Sequence, residues 1–295
     1  MPNLKEVRIR IASVKSTQQI TSAMKMVAAS KLRKAQNAIL KMRPYAAKLK
    51  DLLQNLSASL DSGDGNIWSQ QRKAEKVLLV IITSNRGLCG AFNSNILRTS
   101  VQRIKNDYAA QYEAGNVSVL TIGRKGTEFF SKRGYSVVAS HDSIFDRLTY
   151  ENVSVIATSV MEAFADKQFD RVDIVYNQFK NAAVQYVTVE QFLPVETHAP
   201  NAVQAKSNID YLFLPSKEEI VTELIPKSLK IQFYKSILDS YASEHGARMT
   251  AMHQATDNAG ELIKQLNLAY NKARQAAITK EILEIVSGAE ALKGS

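Results

Sequence analysis

Few residues in this chain have the type and spacing for chemistry. Cys89 follows Arg86 in the turn SNRGLCG and precedes a predicted helix. A cationic neighbour and a helix N-terminus are what lower a thiol's pKa and make it a nucleophile. That chemistry also needs a base, and His141, His198, His245 and His253 are scattered, none beside the turn. A small packing residue in a tight turn is the better reading of Cys89. Two strand-to-helix turns, SNRGLCG and TIGRKG (Thr121 to Gly126), carry Gly and Arg where a helix N-terminus can hold phosphate. Neither has the Gly and Lys spacing of a P-loop or the three-Gly dinucleotide fingerprint. Tight turns without a nucleotide or other cofactor are therefore expected. Glu218 and Glu219 sit at the start of a predicted helix and read as solvated. No His or Cys spacing marks a metal site, and no catalytic constellation emerges.

Charge is more informative. The chain has 295 residues and a net charge of +10. Residues 1–56 hold twelve Lys and Arg against Glu6 and Asp51, and residues 57–295 hold 26 of each sign, so the whole excess sits on one segment. A basic helix suits nucleic acid, an anionic membrane surface or an acidic protein surface. A nucleic-acid reader usually interleaves aromatics with its cations or brings a known reading motif. Only Tyr45 is aromatic here, so an acidic protein partner fits the charge at least as well. A stand-alone basic protein binding nucleic acid remains the competing class, and co-purification separates the two.

The elements that carry these residues are legible from periodicity. At the C-terminal end, Met252, Ala255, Ala259, Leu262, Leu266, Ala269, Ala273 and Ala276 recur in steps of three and four, then the phase slips to Ile278, Ile282, Ile285, Ala289 and Leu292. At the N-terminal end the same seam runs through Leu4, Val7, Ile11 and Val14, and resumes at Ala28, Leu32, Ala35 and Ile39. Its middle is polar, with Gln18, Thr21 and Lys25 on seam positions. Such seams predict an antiparallel coiled coil of the two chain ends. Pro44 is expected to kink the first helix or remove one of its bonds, and Pro226 to break or kink a helix opening at Ser216. Between the ends, VLLVII (Val77 to Ile82) reads as a strand buried on both faces. Further strands are expected at Val117 to Ile122, Tyr135 to Ala139, Arg171 to Tyr176 and Gln185 to Gln191. Helices are expected at about Ser94 to Ala114, Lys125 to Lys132 and Glu151 to Ala165. Alternating strand and helix argue a Rossmann-like three-layer α/β domain with a mostly parallel sheet. The expected organisation is 1–58 as an N-terminal coiled-coil helix, 74–195 as the α/β domain, and 209–295 as the helix that pairs with the first. No apolar run approaches the ~20 residues of a membrane span, and a lone cysteine suits a reducing compartment.

Three stretches in this order resemble the γ subunits of F-type ATP synthases: IASVKSTQQITSAMKMVAASKLRKAQ (Ile11 to Gln36), SNRGLCGAFN (Ser84 to Asn93), and ARMTAMHQATDNAGELIKQLNLAYNKARQAAITKEILEIVSGAEAL (Ala247 to Leu292). The resemblance implies a non-catalytic rotor whose terminal helices form a shaft inside the α3β3 ring. It implies a foot that rests, with the ε subunit, on the membrane-embedded c ring. Ion flow turns the shaft, and ATP chemistry belongs to β. Carried over residue by residue, Met24, Lys25, Arg86 and Cys89 match positions facing β. Arg274, Gln275 and Thr279 match the upper shaft that meets α and β. Tyr211 matches the foot on the c ring, and Lys31, Arg33 and Lys34 are assigned to that contact too. The implied setting is the cytoplasmic side of a bacterial plasma membrane, peripheral, with no nucleic acid. The single cysteine excludes the regulatory dithiol of chloroplast members.

Overall fold

The computed structural model describes residues 4–57, 67–195 and 217–293. Eleven named elements follow in order: α1 (Leu4–Ser57), β1 (Val77–Ile82), α2 (Phe92–Asn106), α3 (Ala109–Glu113), β2 (Val117–Ile122), α4 (Arg124–Lys132), β3 (Ser136–Ser140), α5 (Tyr150–Ala165), β4 (Arg171–Phe179), β5 (Gln185–Leu193) and α6 (Lys217–Lys293). Short 3₁₀ turns lie at Ile67–Ser69 and Asp142–Asp146. The chain forms two compact units, Met1–Ala28 with Met249–Ser295, and Ala29–Arg248.

In the first unit α1 and α6 run antiparallel. Arg8 donates to the Tyr270 hydroxyl at 3.0 Å, Gln18 to the Thr256 carbonyl at 3.5 Å, and the Thr21 and Thr256 hydroxyls lie 2.8 Å apart. Partner numbers on α6 fall as those on α1 rise. Val7, Ala28, Met252 and Ala259 are buried along this seam. Its polar middle is matched across the pair: Thr21 is buried, and Gln18 approaches the small Gly260. A polar layer in an apolar seam fixes register, because any slip strands its hydrogen-bonding groups among apolar ones. Cysteines at Thr21 and Thr256, in a Cys89→Ala background, are therefore expected to form a disulfide readily on oxidation, and a Thr17→Cys, Thr256→Cys control is not. Equal yields from both pairs, read on a non-reducing gel, would contradict this register.

The second unit holds one five-stranded sheet in the order β3-β2-β1-β4-β5. The first four strands are parallel, and β5 returns antiparallel to β4. Every residue of β1 is buried, as expected of a central strand covered on both faces. On one face Val153, Ile156, Val160 and Phe164 of α5 pack with Leu229, Phe233 and Ile237 of α6. On the other, Phe92, Ile96 and Ile104 of α2 pack with Phe130 of α4. This is the three-layer arrangement expected from the alternating pattern.

One expectation needs correction. The helix expected over Ser94 to Ala114 is two, α2 and α3, because Tyr108 between them turns inward to reach Asp173. α1 continues through Pro44, and α6 runs through Pro226 without a break. At Pro226 the lost backbone bond is offset by Leu229, Phe233 and Ile237 burying on the sheet within the next three turns. The expected helix opening at Ser216 and the short apolar stretch at Tyr211 lie outside the described residues.

Candidate functional site

The two loops with phosphate-like composition sit at the carboxyl ends of β1 and β2, in the second unit. In a doubly wound sheet this edge, beside the point where strand order reverses, is where ligands bind. Here β1 and β4 flank that point. The amides that a phosphate would need are already engaged. Gly126 N–H donates to the Thr83 hydroxyl at 2.8 Å, Lys125 N–H to the Ser84 carbonyl, and Arg124 N–H to the Asn85 side chain. Gly123 has φ +103°, and a Cβ there would meet the Thr83 carbonyl oxygen at 2.2 Å, so this glycine serves the close approach of two backbones.

At the switch point itself lies α6. Ser243 donates to the Asn177 carbonyl at 3.0 Å, and Gly246 packs on the Ala182 backbone. Arg248 donates to the carbonyls of Gly87 and Arg86 and is held by Glu244 at 2.7 Å. The SNRGLCG turn thus points carbonyls inward at a guanidinium, the reverse of an anion-binding nest. Burial raises the Glu244 carboxyl above the ordinary range, against the pull of Arg248 and Lys31.

Cys89 is buried, and burial raises its thiol pKa, against the hydrogen bond from Ser84. That is the opposite of an activated nucleophile. Its side chain is inside the turn, and the turn's surface belongs to Arg86, Gly87 and Leu88. Leu88 is 66% exposed with φ +64°. A left-handed non-glycine residue costs about 1–2 kcal/mol, so the turn is held in place by its surroundings. Ser84 and Cys89 both donate to the Arg86 carbonyl, and Asn93 accepts from Ser84 N–H.

Of the other residues singled out from sequence, the first unit holds Met24, Lys25, Arg274, Gln275 and Thr279. Met24 and Lys25 are half-buried, and the other three are exposed, with Thr279 donating to the Gln275 carbonyl. Along the antiparallel pair the two groups lie roughly 30 Å apart at 1.5 Å per residue, so they form two contact zones and not one site. In the second unit Lys31, Arg33 and Lys34 are all exposed on α1, and Lys31 lies near enough to Glu244 and His245 to act on both. Tyr211 lies outside the described residues.

Sequence reasoning missed the Glu244–Arg248 pair, whose only signal is an i, i+4 acid–base spacing in an otherwise apolar stretch. It also missed how α6 ends. Arg8 hydrogen-bonds Tyr270 near the start of α1, and Leu4 is the first described residue of α1. Beyond, Ile278, Ile282, Leu283, Ile285 and Val286 are each about half exposed or more. At 100° per residue they span an arc of roughly 160°.

Antiparallel terminal helices, with an α/β unit whose ligand crevice is filled by its own helix, define a helical-stalk protein. Known proteins agree. The family model described as ATP synthase matches residues 3–292. The chain is 60% identical to the ATP synthase gamma chain of Flavobacterium johnsoniae, covering 100% of both, and 54% identical to that of Cytophaga hutchinsonii, covering 99% of both. Among solved structures it is similar to a chain of the Tetrahymena thermophila mitochondrial ATP synthase central stalk and c ring, at 27% identity and TM-score 0.59 over 80% of this chain and 99% of that one. A chain of the Euglena gracilis mitochondrial ATP synthase matches in fold, with TM-score 0.71 at 22% identity over 98% of this chain and 94% of that one. The chain belongs to the gamma-chain family of the F-type ATP synthases, the central-stalk rotor subunits of that complex. No described helix is long and apolar enough to cross a membrane.

Proposed function

We propose that the chain acts without catalytic residues of its own, turning inside an α3β3 ring while its foot, with an ε subunit, rests on a c ring. The observation that carries this is the apolar end of α6. Five large aliphatic side chains exposed on the last turns of a helix need an apolar sleeve, and a ring of subunits supplies one. Arg274, Gln275 and Thr279 lie at the base of that end and would meet the rim of the sleeve. Met24, Lys25, Arg86 and the turn that holds Cys89 would face acidic loops of β. Lys31, Arg33, Lys34 and Tyr211 would belong to the c-ring side. Exposed ion pairs worth roughly 0–1 kcal/mol each suit a contact that must break at every step. Ion flow through the c ring would turn the chain, and its asymmetry would drive the β sites through open and closed states. The family's bacterial members favour the cytoplasmic side of a plasma membrane, as a peripheral component.

The test separates the free chain from the complex. In the free chain Ile282→Ser with Ile285→Ser is expected to leave the melting temperature nearly unchanged, since both side chains already face water. In a complex reconstituted with α and β the same pair should lose about 1–2 kcal/mol per side chain, read as a lower dissociation temperature. Failure of the unaltered chain to co-purify with α and β, or an equal effect in both settings, would refute the reading.

A further inference from the structure

We propose that one flank of α1, the line Lys31, Lys34, Lys41, Tyr45 and Lys48, is a ledge that binds the phosphate headgroups of anionic phospholipids. The proposal rests on the reading that this side of the chain meets a membrane-embedded c ring, and it adds a lipid partner there. With Ala38 the five residues recur in alternating steps of three and four, which holds them on one side of a helix. They fall within an arc of about 100° and run for about 26 Å. The four lysines and Tyr45 are exposed, as is Arg33 on the same arc. Leu32, Ala35 and Ile39 are buried on a different face of the helix, so the ledge is not its packing surface.

The charge of the ledge is not neutralised within the chain. No acidic residue stands between Glu6 and Asp51. On other helices exposed lysines are paired along the helix, Lys125 with Glu128 at 2.7 Å, Lys264 with Glu261 at 2.9 Å and Lys280 with Glu284 at 3.6 Å. None of the four ledge lysines has an ion pair among the described residues. Their type points to lipid. A specific acidic protein surface is met best by arginine, whose planar fork binds a carboxylate at two places, whereas lysine is a point charge on a long, flexible stem. A row of such charges suits headgroups that shift beneath the protein, and about four to eight clustered cations are what an anionic leaflet holds. Tyr45 adds an amphipathic ring of the kind that sits at headgroup level. The apolar seam of α1 stays buried, so the helix lies along the surface and does not insert.

The free, full-length chain is tested on phosphatidylcholine vesicles with and without about one-third phosphatidylglycerol. Sedimentation is expected to show binding to the anionic vesicles alone, lost as added salt shortens the screening length below about 10 Å. Lys31→Gln, Lys34→Gln, Lys41→Gln and Lys48→Gln together should weaken binding by about thirtyfold or more, from roughly fivefold per lysine less the effect of screening. Removing the same charge from the exposed Lys73, Lys105, Lys132 and Lys264 should weaken it by less than about threefold. Lys31 also acts on Glu244 and His245, so the pair Lys41→Gln and Lys48→Gln is the second variant. It should keep the melting temperature of the chain and still weaken binding by about fivefold or more. Equal losses from the two four-lysine variants, or equal binding to both kinds of vesicle, overturn the proposal. So does a ledge variant that binds vesicles as the parent chain does but no longer assembles with α, β or the c ring, which makes the ledge a protein contact. Vesicle binding through the ledge by a chain that fails to co-purify with α and β keeps the lipid contact and sinks the rotor reading.

Discussion

Asp173→Ala is expected to be the most destabilising single change in the α/β unit, at about 2–4 kcal/mol. Asp173 lies on the central strand β4, wholly buried, opposite Leu79 of β1. A carboxylate in that position is tolerable only when its oxygens are saturated. One oxygen accepts from the Tyr108 hydroxyl at 2.6 Å and from Arg103 at 3.1 and 3.3 Å, and the other accepts from Arg171 at 3.1 Å. Burial raises the Tyr108 hydroxyl above its ordinary range, with the Asp173 charge adding to it, so the phenol stays a donor. Removing the carboxylate strands that buried hydroxyl and leaves two guanidinium groups without their shared partner. The arginines can relax, because their side chains are 27% and 29% exposed and can reach water. The loss therefore lies at or below the lower part of the roughly 3–5 kcal/mol typical of a broken buried pair, with the Tyr108 hydroxyl dominating. Urea unfolding should show a lower midpoint at unchanged slope. Tyr108→Phe should cost about 1 kcal/mol, and the two changes together should be less than additive. Full additivity would mean that the hydroxyl and the carboxylate do not act as one network.

Asp173 also shows where the amino-acid sequence stopped being readable. In VLLVII an unbroken apolar run announces a doubly covered strand, and β1 has the expected bounds. In RVDIVYNQF the pattern holds a charge, and nothing in the run says that Arg103, Tyr108 and Arg171 converge on it. Those partners come from α2, the α2–α3 junction and β4 itself, so only the folded topology brings them together. The coiled coil followed the same rule. Its seams and polar middle were legible as periodicity, but Thr256 sits between the seam residues Ala255 and Ala259. Its pairing with Thr21 is a matter of register between distant segments, which one helix alone does not encode. Cys89 shows a different limit. Sequence resemblance placed it in a turn on a partner-facing side, which is a statement about a position, whereas burial depends on which way the side chain points. The turn resolves this, since Leu88 points out and Cys89 in. The apolar end of α6 was legible as a continued seam, and only the folded chain reveals that its large aliphatic side chains stay about half exposed or more.

The acid sensitivity of the second unit is expected to trace to His245. The residue is 5% exposed, lies edge-on to Tyr241 with ring centroids 4.4 Å apart, and neither ring nitrogen has a hydrogen-bond partner among the described residues. Burial, reinforced by the charges of Lys31 and Arg248, lowers its pKa to about 3. Glu244, the neighbouring acid, is engaged by Arg248 and so does little to shelter an imidazolium. In the unfolded chain the same imidazole takes a proton near pH 6.5. Between those two values the unfolded state holds one proton more than the folded state, so stability falls as pH falls. The contribution is intact above about pH 6.5, shrinks with each unit below it, and levels off near pH 3. By pH 4.5 the loss is on the order of 2–3 kcal/mol, taking about 1.4 kcal/mol per unit of separation. His245→Phe keeps an aromatic ring against Tyr241 and removes both unpartnered nitrogens. It should be neutral or stabilising at pH 7, since replacing a buried unsatisfied polar group by an apolar one of similar shape removes its desolvation cost. Its larger effect should appear in acid, where the variant's stability should fall much less between pH 6.5 and 4.5 than that of the parent chain. Denaturant midpoints at pH 7, 6, 5 and 4.5 measure both. Parallel pH profiles for the two proteins would show that His245 is solvated or partnered in solution and that the acid sensitivity arises at another group.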